Sequence, residues 1–167
     1  KIEPGFHHQE LEMPDVPPPD GLRSDADLRR ETVETMPDVD RAHFLRERPI
    51  EYRPVNPRDW VAGESRPAMQ QSWFRTVARL PDDPALHRAV IAYASDSILL
   101  GTCTLPHGVT WGQAGFQSAS LDHALWLHDE IRADEWLLYS CDAPWAGRAR
   151  GFNRGSIFTA DGRLVAS

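Results

Sequence analysis

Lysine is almost missing from this chain: of its 18 basic residues, Lys1 alone is not arginine. The bases are scattered among 25 acids, for a formal charge of -7. Phosphate recognition needs a basic footprint, so no nucleic-acid partner is expected. Cysteine is equally scarce. Cys103 and Cys141 form no C-x-x-C pair and no histidine stands at metal-ligand spacing, which leaves neither a disulfide scaffold nor a zinc site. No cofactor is expected, and two lone thiols fit a reducing, cytoplasmic compartment. A basic-then-apolar leader is absent, and no apolar run approaches the roughly 20 residues of a bilayer span, so no membrane partner is expected.

What is present is enough apolar material for one substantial core: 41% of 167 residues, read as one soluble domain plus an extra segment. Residues 1–45 lack sustained apolar periodicity and contain the proline-rich tract Met13-Pro14-Asp15-Val16-Pro17-Pro18-Pro19, which favours an extended linker. Within it, Ser24 stands as a cap for a short helix over Asp25 to Thr35, and Val39 to Leu45 continues the helical pattern. Strand-like alternation follows over Ile50 to Val55 and Gln70 to Leu80. Beyond the turn-rich stretch Leu105 to Gly115, strands are predicted over Phe116 to His128, Trp136 to Asp142 and Arg148 to Thr159. Ala160-Asp161-Gly162-Arg163 signals a hairpin into a last strand from Leu164. Gly147, Gly151 and Gly155 read as bends in a curved sheet.

Between the second and third strands lies the most informative segment. Asp83-Pro84 reads as a cap followed by proline at the first helical position, and the helix carries on through Leu86, Val90, Tyr93 and Leu99. Apolar residues occupy nearly every side of it, which predicts a core helix. Asp96 sits inside this run, so its carboxylate is expected to be buried and therefore paired, hydrogen-bonded or functional. Periodicity alone yields an α+β class, with an antiparallel sheet covering one side of the helix.

Five segments carry a resemblance. They are Ala92-Tyr93-Ala94-Ser95-Asp96, Ser120-Leu121-Asp122-His123-Ala124-Leu125-Trp126-Leu127-His128, Glu135-Trp136-Leu137-Leu138-Tyr139-Ser140, Ala149-Arg150-Gly151-Phe152 and Asp161-Gly162-Arg163-Leu164-Val165-Ala166-Ser167. In order and spacing the chain resembles the acyl-CoA thioesterase II family, the double hot-dog thioesterases. The resemblance implies a hot-dog fold, a curved antiparallel sheet wrapped round a central helix. It implies that residues 1–45 are the end of a first repeat and an inter-repeat linker. Residues 46–167 would then be a carboxyl-terminal hot-dog domain whose last strand is truncated. The missing amino-terminal repeat, or a second copy of the chain, is the expected partner, and a eukaryotic source would make the compartment peroxisomal.

The family hydrolyses fatty acyl-CoA thioesters without a covalent intermediate, using an aspartate, a serine or threonine, and a glutamine. Asp96 matches the aspartate and Ser120 the hydroxyl, while the glutamine would fall shortly beyond Ser167. Two alternatives stand beside this reading: a catalytically incomplete acyl-CoA-binding or assembly half, and an enoyl-thioester hydratase, which would want a histidine near Asp96, with His123 as the candidate. A Ser120-Asp122-His123 triad is not expected, because neighbours along a strand point to opposite faces, and that Asp-His pair reads as structural. Trp126, Trp136 and Trp145 read as core or interface aromatics, and Arg148, Arg150 and Arg154 as solvated strand charges or a cationic row for CoA phosphates.

Overall fold

The computed structural model of the chain describes residues 5–35, 41–110, 113 and 115–167, and of His43 only the backbone. Helices α1 (Asp25–Val33) and α2 (Arg41–Phe44) precede strands β1 (Ile50–Pro54) and β2 (Met69–Thr76). The long helix α3 (Pro84–Thr102) then separates these from β3 (Leu137–Gly147), β4 (Arg150–Thr159) and β5 (Leu164–Ala166). The local signals act as their chemistry predicts: Ser24 Oγ accepts from the Asp27 N–H at 3.1 Å, and Asp83 Oδ1 accepts from the Ala85 N–H at 2.9 Å. Of the helical pattern over 39–45, Val39 and Asp40 lie outside the described residues, as do positions 1–4 of the 1–45 segment and positions 111, 112 and 114 of the turn-rich stretch.

The strands form one antiparallel sheet in the order β1-β2-β3-β4-β5. Its register sorts the side chains into two rows, because strand residues alternate between faces. Tyr52, Phe74, Leu137, Tyr139, Cys141 and Ile157 face α3 and join Ile91 and Ala94 in the main core. Trp73, Leu138 and Phe158 stand directly opposite one another on the other face. This is the hot-dog arrangement of sheet on central helix.

That second row is covered by the proline-rich tract. Met13, Val16 and Leu22 pack on it, the Trp73 indole N–H donates to the Pro17 carbonyl at 2.9 Å, and Arg53 donates to the Pro19 carbonyl at 2.8 Å. Gln9 extends the attachment, donating to the Gly162 carbonyl and accepting from the Leu164 N–H. Covering a large side chain such as Trp73 or Phe158 contributes about 1.5–3 kcal/mol each. The proline-rich residues, already restricted to extended conformations, lose little entropy in lying there.

Helix α3 corrects the expectation of burial all round. Its buried residues are His87, Ile91, Ala94, Ser95, Gly101 and Thr102, one stripe at helical spacing. Asp96 is turned about 100° from Ser95 and its side chain is 61% exposed, not interred. Continued through the next turn to His107, the run has 24 residues and a mean hydropathy of 1.3, long and apolar enough by composition to cross a bilayer, contrary to expectation. Here its inner stripe fills the sheet's core.

The strand predicted over Phe116 to His128 is a second correction. Residues 116–126 are irregular and mostly exposed, and strand-like pairing is confined to a bridge between Leu127 and Ala166, flanked by backbone bonds between Trp126 and Ser167 and from the His128 N–H to the Val165 carbonyl of β5. Alternation alone does not make a strand without a neighbour to complete the ladder. Two of the glycines, Gly151 and Gly155, also serve close packing. A Cβ on Gly155 would stand 2.6 Å from the Tyr139 hydroxyl oxygen and closer still to its ring, and one on Gly151 would meet the Cys103 side chain.

Candidate active site

The turn of α3 that carries Asp96 is held from behind. The Tyr52 hydroxyl donates to the Ala94 carbonyl at 3.2 Å, and the Tyr139 hydroxyl donates to the Ser95 carbonyl at 2.8 Å. One turn on, Gln70 donates to the Ile98 carbonyl at 2.6 Å and to Thr102 Oγ1 at 2.7 Å. Burial pushes the Tyr52 hydroxyl up to about 12 and the Tyr139 hydroxyl higher still, so both stay protonated donors at neutral pH. Three polar side chains from β1, β2 and β3 thus fix the rotation of the helix and turn the opposite face, with Tyr93, Asp96 and Ser97, outward.

On that face the loop after α3 closes over Asp96. Ser120 Oγ donates to Asp96 Oδ1 at 3.5 Å, at the long end of a hydrogen bond. His123 Nδ1 lies 3.7 Å from the same oxygen. The other ring nitrogen, Nε2, is 3.1 Å from Ser95 Oγ, and that hydroxyl donates to the Ala92 carbonyl at 3.0 Å. Tyr93, Asp96, Ser97, Ser120, Leu121 and His123 line an open cleft of about 570 Å³. The carboxylate is therefore solvent-exposed, oriented by a hydroxyl and beside an imidazole.

Ser95, His123 and Asp96 have the connectivity of a charge-relay triad without its chemistry. Ser95 is buried at 1% exposure, so its oxygen cannot reach a substrate. Ser120 has an exposed hydroxyl, and its partner is the carboxylate rather than the imidazole. What the cleft can do is hold a water against a carboxylate and a hydroxyl.

Residues 39–167 match the acyl-CoA thioesterase family. The chain belongs to it. Acyl-coenzyme A thioesterase 8 of Homo sapiens is 34% identical over 99% of this chain and 53% of its own length. Acyl-CoA thioesterase 2 of Haemophilus influenzae is 32% identical over 99% and 57%. Among solved structures, the acyl-CoA thioesterase II TesB2 of Mycobacterium marinum superposes with a TM-score of 0.72 at 39% identity, over 99% of this chain and 56% of that one. A tesB protein of Mycobacterium avium subsp. paratuberculosis, at 24% identity and a TM-score of 0.70, shares the fold. The chain spans about half the length of the curated relatives it matches.

In this acyl-CoA thioesterase family chain, the two residues singled out from sequence, Asp96 and Ser120, come together from positions 24 apart. Asp122 lines the same cleft. His123, whose pairing with Asp122 was read as structural, faces Asp96, and the one signal for that was the general requirement of hydratase chemistry for a nearby histidine. Of the three arginines read as solvated strand charges or a cationic row, Arg154 pairs with Asp142 at 2.9 and 2.5 Å, and Arg148 occupies the β3–β4 turn. Trp126 and Trp145 are exposed, whereas Trp136 stacks beneath Arg53 and Arg75. No group of three metal-binding side chains occurs among the described residues.

Proposed function

We propose that this chain carries an acyl-CoA thioester hydrolysis site in which Asp96 is the general base and Ser120 orients the water. The observation that supports it is the convergence of Ser120 Oγ and Asp96 Oδ1 at 3.5 Å in an open cleft. A water bound by the carboxylate gives its proton to Asp96 as its oxygen adds to the thioester carbonyl carbon. Collapse of the tetrahedral adduct breaks the C–S bond, and the proton leaves Asp96 for the CoA sulfur. General-base assistance of this kind contributes about 10²–10⁴ in rate. A glutamine beyond Ser167, implied by the family resemblance, is inferred to add a further contact to the water or carbonyl.

Tyr93, 61% exposed, and Leu121, 80% exposed, flank the cleft with uncovered apolar surface. We infer that a second hot-dog covers them, the amino-terminal repeat of a longer chain or another copy of this one. A strictly monomeric species at micromolar concentration counts against self-association.

The deciding measurement is thiol release from acyl-CoA by this chain and by a version extended past Ser167. Hydrolysis is expected in the extended form and is expected to vanish in Asp96→Asn. Turnover that survives that substitution sinks the assignment. The nearness of His123 to Asp96 favours a second reading, hydration of an enoyl thioester, which predicts 3-hydroxyacyl product from enoyl-CoA instead of free thiol. Acyl-CoA binding without turnover in both forms supports an assembly half.

A further inference from the structure

We infer that His123 is a positioning residue for Asp96, anchored through its Nε2 on the buried hydroxyl of Ser95. This inference rests on the hydrolytic reading of the cleft and adds a residue to it. A serine hydroxyl has one hydrogen, and Ser95 directs it to the Ala92 carbonyl one turn back, at 3.0 Å. The oxygen is then left to accept from His123 Nε2–H at 3.1 Å. That bond fixes the ring plane on a buried part of the helix and aims Nδ1 at Asp96 Oδ1, 3.7 Å away. Nδ1 attracts the carboxylate as an N–H and repels it as a lone pair, so the doubly protonated ring is the form that holds Asp96. The other ionisable groups that line the cleft with His123 are Asp96 and Tyr93 on α3 and Asp122 on its own loop.

The consequence is a division of labour between the two carboxylate oxygens. Ser120 and His123 both contact Oδ1, so the side chain is held by one oxygen while Oδ2 takes the proton of the attacking water. Because Asp96 is 61% exposed and free to rotate about its own bonds, this double hold is what restricts it.

The test has two arms. In ¹⁵N NMR of the histidine rings of the full chain, Asp96→Asn is expected to move the His123 Nδ1 resonance while the resonances of His87, buried on the opposite face of α3, stay in place. Ser95→Ala, which removes the acceptor of the Nε2–H bond, is expected to move the His123 Nε2 resonance. In the hydrolysis assay, His123→Ala is expected to lower kcat by on the order of tenfold or more with KM within about twofold, because the interaction is with the catalytic carboxylate rather than with substrate. Rescue of part of that loss by His123→Gln, which keeps a donor, is expected. An Nδ1 resonance indifferent to Asp96→Asn overturns the inference whatever the kinetics. So does a His123→Ala enzyme with unchanged kcat. Hydrolysis that survives Asp96→Asn instead sinks the functional reading, while the NMR arm still judges the contact.

Discussion

The Tyr139 hydroxyl donates to the Ser95 carbonyl at 2.8 Å, one residue before Asp96. The buried face of the sheet thereby grips the helix at the backbone that carries the site. Tyr139→Phe keeps the ring and removes the bond, so a loss of about 0.5–1.5 kcal/mol is expected in urea denaturation. An unchanged midpoint would show that the bond contributes nothing.

Gly155 is the other half of that contact, since its missing side chain makes room for the Tyr139 ring. The ring is 3% exposed and tied to Ser95, so it cannot swing aside. Gly155→Ala is expected to cost about 1–3 kcal/mol by overpacking, and clearly less in a Tyr139→Leu background. Equal costs in both backgrounds contradict the packing explanation.

Ser120 is assigned through its hydroxyl alone. Ser120→Ala is expected to lower kcat for thioester hydrolysis by about 10–100-fold, while Ser120→Thr, which keeps the donor, retains most of the activity. If Thr behaves like Ala, the hydroxyl is not the operative group.

Asp134 links stability to pH. Its side chain is 1% exposed, and the hydrogen bonds from Arg132, then that from the Leu80 N–H, hold its carboxyl down from 3.8 to about 2. A depressed folded-state value means the stabilisation is fully present above about pH 4 and is lost as pH falls through about 2. Melting temperatures of wild type and Asp134→Asn should therefore differ at pH 6 and draw together between pH 4 and 2. Parallel curves through that window would refute the linkage.

The β3–β4 turn is strained by its residues. Arg148 and Ala149 have φ of 49° and 58°, the left-handed conformations of a two-residue hairpin turn, in which Asn and Gly are preferred. Replacing the pair by Asn-Gly is expected to stabilise the chain by about 1–2 kcal/mol, read from denaturant midpoints.

Sequence by itself determined the start of α3 at Asp83-Pro84, the cap at Ser24, the Asp161-Gly162 hairpin and the α+β class, because each is local chemistry between neighbours. It also marked Asp96 and Ser120 through the resemblance. The face on which Asp96 lies was not legible. A helix apolar nearly all round carries no internal signal for which stripe turns inward, and that choice was made by Tyr52, Gln70 and Tyr139 bonding to its backbone from three separate strands. The irregular path of residues 116–126 and the approach of His123 to Asp96 were likewise decided in three dimensions. Both depend on partners far away in the chain, whose positions periodicity does not encode.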